Sequence, residues 1–167
     1  MLVMGIDPGT ATTGFGLVEG GCGKEKVVDY GVIKTSPAMT MPQRLVQINR
    51  EYSRLLLDYR PDAVAIEQIF HHKNAKTVIT VAQSRGVLIM AAALREIEVA
   101  EYTPLQVKQA VTGFGNADKK QVQFMVQKIL KLEDIPRPDD AADALAIALC
   151  HLHSYRWAEV RKSEGTT

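Results

Sequence analysis

Cysteine is almost missing from this chain. Cys22 and Cys150 are the only two. They offer neither a disulfide framework nor a spaced thiolate set for zinc, and they suit a reducing compartment. Neither sign of charge is in excess: 20 Lys and Arg stand against 19 Asp and Glu, for a net charge of +1. That excludes a uniformly basic nucleic-acid binder but leaves room for a local basic face. Long hydrophobic runs are absent too, since the longest, Val87 to Leu94, is too short to span a bilayer. The N-terminus has no basic n-region and no cleavage site, so no signal peptide is expected and a cytoplasmic location follows. There is no linker, repeat or low-complexity segment. What is present is 46% hydrophobic and 23% charged residues over 167 positions, enough for one domain with a substantial core.

The chain opens MLVMGIDPGTATTGFG, where an apolar run ends in a single carboxylate and a glycine-threonine turn. Leu2 to Asp7 reads as a short buried strand. Thr12 to Val18 and Val27 to Thr35 are rich in β-branched residues, and the turn cluster GGCGK separates them. A three-stranded antiparallel meander is expected. Pro42 opens a helix with apolar residues at helical spacing from Leu45 to Tyr59. Ala63 to Gln68 (AVAIEQ) is a second buried strand, followed by the polar loop Phe70 to Lys76. A long helix is predicted from Thr77 to Glu96, a strand over Val99 to Thr103, and a short helix from Pro104 to the break at Gly113-Phe114-Gly115-Asn116. Further helices are predicted over Ala117 to Leu132 and Asp139 to about Val160. A meander followed by alternating strands and helices predicts one mixed-sheet α/β domain over residues 1–160, with a frayed tail at 161–167.

The acids carry the chemistry. Strand residues alternate faces, so Val3, Gly5 and Asp7 share one side of the first strand, and Ala63, Ala65 and Glu67 share one side of AVAIEQ. If the two strands are parallel neighbours, Asp7 and Glu67 stand side by side over small residues. The last helix reads DDAADALAIALCH. Its alanines admit close packing, and Asp140 and Asp143 lie three apart, on one face. Four carboxylates then converge: Asp7, Glu67, Asp140 and Asp143. Acids that close repel one another unless cations offset them. Oxygen ligands select Mg²⁺ or Mn²⁺, and two such ions roughly 3.5–4 Å apart suit phosphodiester hydrolysis. Each acid also has a plainer reading: Asp7 as turn chemistry with Pro8-Gly9, Asp140 as a dipole partner, Asp139 as a cap. Asp143 among alanines and Glu67 at the end of a buried strand are harder to explain without a partner.

Other residues point outward. Phe70 leads a loop containing His71, His72, Lys73, Asn74 and Lys76; it is either a core plug or a ring that stacks on a base. Lys108, Lys119 and Lys120 bracket the GFGN turn, either as solvated charges or as a grip on a phosphate backbone. His151 and His153 read as surface or interface residues. The Thr77 to Glu96 helix is apolar almost all round, which predicts burial on every side. Either it is a central core helix or one face meets a second subunit.

Together the blocks MGIDPGTATTGFG, AIEQIF, QVKQAVTGFGNADKKQVQ and DDAADALAIALCH closely resemble the RuvC family of bacterial Holliday-junction resolvases, in order and over nearly the whole chain. The resemblance implies an RNase H-like fold, a mixed five-stranded sheet flanked by helices. It implies a homodimeric, divalent-metal endodeoxyribonuclease that cuts two opposed strands of four-way junction DNA. It assigns metal ligation and catalysis to Asp7, Glu67, Asp140 and Asp143, with two Mg²⁺ per site and Mn²⁺ as a substitute. It places Phe70 on a junction base and Lys108 and Lys119 on scissile phosphates; Lys73 and Lys76 of the basic loop and Lys120 beside the GFGN turn are read from their surroundings as further DNA contacts. It also implies the branch-migration complex RuvA-RuvB as a partner and no membrane. The first acid of the last-helix pair is His in some members; here it is Asp140, leaving a fully acidic site.

Three other readings share some of these features. Actin-like ATPases also open on Asp-x-Gly-Thr, but they need a second lobe that no segment supplies. A YqgF-type nuclease of ribosomal RNA processing is closer, although the DDAADALA block and the Phe loop oppose it. A non-catalytic junction-binding module does not need four converging acids.

Overall fold

The structure, a computed structural model, describes residues 1–20, 23–69 and 75–164, with side chains over 1–20, 23–69 and 77–155. The elements run β1 (Leu2–Asp7), β2 (Thr12–Glu19), β3 (Lys26–Lys34), α1 (Met41–Tyr59), β4 (Ala63–Glu67), α2 (Ala75–Ala93), β5 (Glu98–Tyr102), α3 (Pro104–Thr112), α4 (Lys119–Ile129) and α5 (Asp139–Glu164).

The strands form one five-stranded sheet in the order β3-β2-β1-β4-β5. β1, β2 and β3 are the expected antiparallel meander. β4 adds parallel to β1, and β5 adds parallel to β4. Both faces are covered, so β1 and β4 are apolar on both sides rather than alternating. On one face Met4, Ile6, Leu17, Val64 and Ile66 pack against Ile48, Tyr52 and Leu56 of α1 and Leu88 of α2. On the other, Val3, Val18 and Ala65 pack against Leu145, Ala148 and Leu149 of α5, with α3 and α4 outside it.

Helix boundaries move by one to four residues from the sequence expectation, and caps explain some of the shifts. Asp118 is the N-cap of α4, its side chain accepting from the Gln121 amide, so the helix starts at Lys119 rather than Ala117. Arg60 closes α1 in the left-handed conformation, its amide donating to Leu56 O. Glu96, also left-handed at φ 58°, lies beyond the end of α2 at Ala93. α5 runs on to Glu164, past the expected end near Val160, so 161–164 are helical rather than a frayed tail. α2 is not buried on every side within the chain: Ser84, Leu88, Ala91 and Ala92 are buried, while Ile79 and Met90, with Leu94 just past its end, are exposed.

Candidate active site

Register places the first two acids. β1 and β4 pair in parallel with Gly5 opposite Ala65 and Ile6 opposite Ile66. Asp7 and Glu67 are the next residue on each strand, and they share the face of Gly5 and Ala65. The turn after Asp7 is tied down on several sides. Thr13 Oγ1 donates to Gly9 O at 2.7 Å, and Thr10 Oγ1 donates to Thr80 O at 2.9 Å. Thr35 Oγ1 donates to Thr10 O at 2.7 Å. The threonines of the opening motif thus fix the strand end that carries the acid.

Glycine brings α5 to the same place. A Cβ on Gly5 would stand 2.0 Å from Ala144 O, and one on Gly14 would stand 2.0 Å from Asp140 O. Gly14 is the register partner of Asp7. The backbone of Asp140 therefore lies directly over the strand pair that ends in Asp7. Asp143, one turn further on, shares a hollow of about 200 Å³ with Glu67, Lys108 and Lys119.

The electrostatics agree with this convergence. Burial, then the charges of Glu67, Asp143 and Asp140, push the Asp7 carboxyl up to about 7. Burial, then Asp143, push Glu67 up to about 7 against the pull of Lys108 and Lys119. Asp143 is also raised, mainly by burial, although Lys119 Nζ stands 3.0 Å from its Oδ2. Among the described residues no three acidic, imidazole or thiol side chains close on one ligating point, consistent with the mutual repulsion of like charges. Half-buried carboxylates that resist ionisation are a donor set short of positive charge, and hard divalent cations fit such oxygens.

Lys108 and Lys119 lie at the site, as expected. Lys120 is exposed in the first turn of α4. Phe70 and Lys73, and the side chain of Lys76, lie outside the described residues. Asp139 is not a cap: it is the first residue of α5, and its carboxylate pairs with Arg137 at 3.0 Å and with Lys119 at 3.4 Å. His151 is not a surface residue: it is buried, and its Nδ1 lies 2.9 Å from Tyr102 Oη. The sequence reading missed Arg85 of α2, whose Nε donates to Glu67 O at 3.1 Å while its guanidinium pairs with Glu101. It anchors the backbone that carries Glu67. An Arg in the otherwise apolar run of α2 was the available signal.

The comparisons decide the family. Residues 3–151 match the family model described as crossover junction endodeoxyribonuclease RuvC. The chain belongs to the RuvC family. The RuvC of Syntrophomonas wolfei is 63% identical over 99% of this chain and 96% of its own length. That of Alkaliphilus metalliredigens is 54% identical over 92% and 94%. Among solved structures, Thermus thermophilus RuvC in complex with a Holliday junction substrate superposes with a TM-score of 0.90 at 39% identity, covering 95% of this chain and 96% of that one. The yeast mitochondrial Holliday junction resolvase, at 14% identity and a TM-score of 0.68, shares the fold. RuvC membership makes this an RNase H-like domain and a metal-dependent nuclease that hydrolyses phosphodiester bonds. No helix among the described residues is long and apolar enough to cross a membrane.

Proposed function

We propose that this chain resolves Holliday junctions by symmetric hydrolysis of one phosphodiester in each of two opposed strands, as a cytoplasmic homodimer working after the branch-migration complex RuvA-RuvB. The observation that carries the reading is the coupling of Asp7, Glu67, Asp140 and Asp143 at one end of β1, β4 and α5, beside a hollow that holds Lys108 and Lys119. In this reading Asp7, Glu67, Asp140 and Asp143 hold two Mg²⁺, with Mn²⁺ as a substitute. When bound, the ions supply the positive charge that stabilises the attacking and leaving oxygens of the displacement.

The chain's own residues do the rest. The β1–β4 ladder and the Gly14–Asp140 contact hold the backbones that carry the four acids before any ion arrives, so side-chain rotation is what remains to bring the carboxylates onto the ions. Lys119 neutralises Asp143 in the free protein and is free to turn to a phosphate once cations take over that charge. Lys108, which lines the same hollow, offsets a second phosphate charge. Phe70, Lys73, Lys76 and Lys120 are assigned to the crossover and its arms. The outward apolar side chains Ile79 and Met90 of α2, with Leu94 just past its end, supply the surface for a second copy. Two sites about a two-fold axis match a substrate with two equivalent strands.

The test is a metal-titrated cleavage assay on a synthetic four-way junction, a linear duplex and an RNA of related sequence. Metal-dependent cutting confined to the junction is expected. Cutting of RNA alone would move the chain to RNA processing, and junction binding without cutting at any metal concentration would make it a binding module.

A further inference from the structure

Phe114 is 74% exposed, at the tip of the turn between α3 and α4. The turn is firmly built. Gly113 closes α3 at φ 80°, a conformation that costs other residues. Thr112 Oγ1 donates to Lys108 O at 2.8 Å and accepts from the Phe114 amide at 3.1 Å. Ala117 N donates to Phe114 O at 3.2 Å. A side chain held outward by such a turn is placed there by the fold, not by loop disorder.

A second ring stands beside it. Phe124 of α4 is 49% exposed, and both rings line a cleft of about 420 Å³ together with Thr112, Asn116 and Met125. Along α4, Lys120, Phe124 and Lys128 recur every four residues and so form one stripe. Lys128 Nζ lies 5.2 Å from the centre of the Phe124 ring. The stripe starts next to Lys119, which is in contact with Asp143. The acid at this end of the helix, Asp118, is occupied in capping α4. The patch is therefore aromatic, rimmed by cations, and continuous with the candidate active site. Lys120 to Lys128 spans about 12 Å of helix, the length of about three or four stacked nucleotides. Apolar rings interleaved with lysines fit a polyanion with exposed ring faces.

We propose that Phe114 and Phe124, with Lys120 and Lys128, form a second nucleic-acid contact, which stacks on bases of the strand adjoining the scissile phosphate. This deepens the junction-cutting reading and rests on it for the identity of the strand. The lysines follow the backbone, while the rings hold bases splayed out of the arm.

The test uses a four-way junction with 2-aminopurine placed one to four nucleotides from the cut. Dissociation constants and fluorescence quenching are measured in EDTA for the wild type, Phe114→Ala/Phe124→Ala, Phe114→Trp and Lys128→Gln. The double variant is expected to bind about ten-fold more weakly and to lose the quenching, while Phe114→Trp retains both. Lys128→Gln lowers the slope of log affinity against log salt by about one. If the double variant fails to fold, Phe114→Ser alone carries the test, since its ring contributes little to the core. Unchanged affinity and quenching overturn the proposal. So does a double variant that keeps its DNA affinity but falls to a smaller species in sedimentation, because that assigns the patch to contacts between copies. The wild type's own cutting separates the two readings: a wild type that cuts while the double variant binds normally removes this inference alone, and a wild type that never cuts while the double variant loses binding removes the nuclease reading alone.

Discussion

Lys119 Nζ lies 3.0 Å from Asp143 Oδ2, joining the first turn of α4 to the acidic face of α5. Its second partner, Asp139 Oδ2, is 3.4 Å away. Burial pulls the ammonium down, but Asp143 and Asp139 outweigh it and its proton is held more firmly than usual. A lysine in this position lends its charge to the carboxylates in the free protein, and in the proposed reading to a phosphate in the complex. Lys119→Gln is therefore expected to slow single-turnover cutting by about 10²–10³-fold, the loss typical of one transition-state charge partner. Junction affinity should change far less. Equal losses in affinity and rate would show that the lysine only binds.

Removing charge from any of the four acids should abolish cutting and spare binding. Asp7→Asn, Glu67→Gln, Asp140→Asn and Asp143→Asn are each expected to leave junction affinity equal to or tighter than wild type, because each removes negative charge near phosphates. Gel shifts and cleavage measured on the same preparations check this. Cleavage retained in Asp7→Asn would contradict the metal-ligand role.

The raised carboxyls make the metal-free protein sensitive to pH. Asp7 and Glu67 stand near 7 in the folded chain, against 3.8 and 4.5 as unperturbed values. Below about pH 4 both states hold the protons and the groups have no effect on stability. As the pH rises from about 4 to about 7 the unfolded chain releases protons that the folded one keeps, so stability falls, and it stays low above 7. Urea melts in EDTA should show Asp7→Asn more stable than wild type at pH 8, with the gap closing by pH 4. Added Mg²⁺ at pH 8 should stabilise the wild type but not the variant. A gap that is constant across pH would contradict the cause given.

Much of this site was legible in the chain. β1 and β4 are continuous apolar runs that end in acids, so the Asp7–Glu67 juxtaposition followed from period on the condition that the strands are parallel neighbours, and the sheet supplies that pairing. Gly5 and the alanines of α5 signalled a close helix. Other features depend on contacts between distant segments. His151 sits in a helix and carries no local mark of burial; its partner, Tyr102, comes from β5. The anchoring of Glu67 by Arg85 depends on how α2 lies over β4 and β5. Asp139 looked like a cap because it opens a helix, but ion pairing to α4 claims its carboxylate. The roles assigned to Phe70 and Lys73 lie outside the described residues.

The glycine contacts can be tested directly. A methyl group on Gly14 would meet the Asp140 carbonyl at 2.0 Å, a backbone atom that moves only with its helix. Gly14→Ala should destabilise the protein toward the upper end of about 1–3 kcal/mol and lose metal-dependent cutting, because the start of α5 must lift away from β2 and carry Asp140 away from Asp7. Calorimetric melts and cleavage on the same sample check it. Full activity in a stable Gly14→Ala would show that Asp140 need not sit where the sheet holds it.

The exposed side of α2 bears on assembly. Ile79→Lys/Met90→Lys should convert a dimer to a monomer in sedimentation at micromolar concentration without lowering the melting temperature of the chain, since both side chains face outward. A wild type that is monomeric both free and with junction DNA would contradict the dimer.

The most direct test of the whole account is strand-resolved mapping of cuts within one synthetic four-way junction, in Mg²⁺ and in EDTA. Paired nicks at matching positions in two opposed strands are expected, present only with the metal and absent in Asp7→Asn. Cuts that persist in EDTA, or that fall equally on a linear duplex of the same sequence, would contradict it.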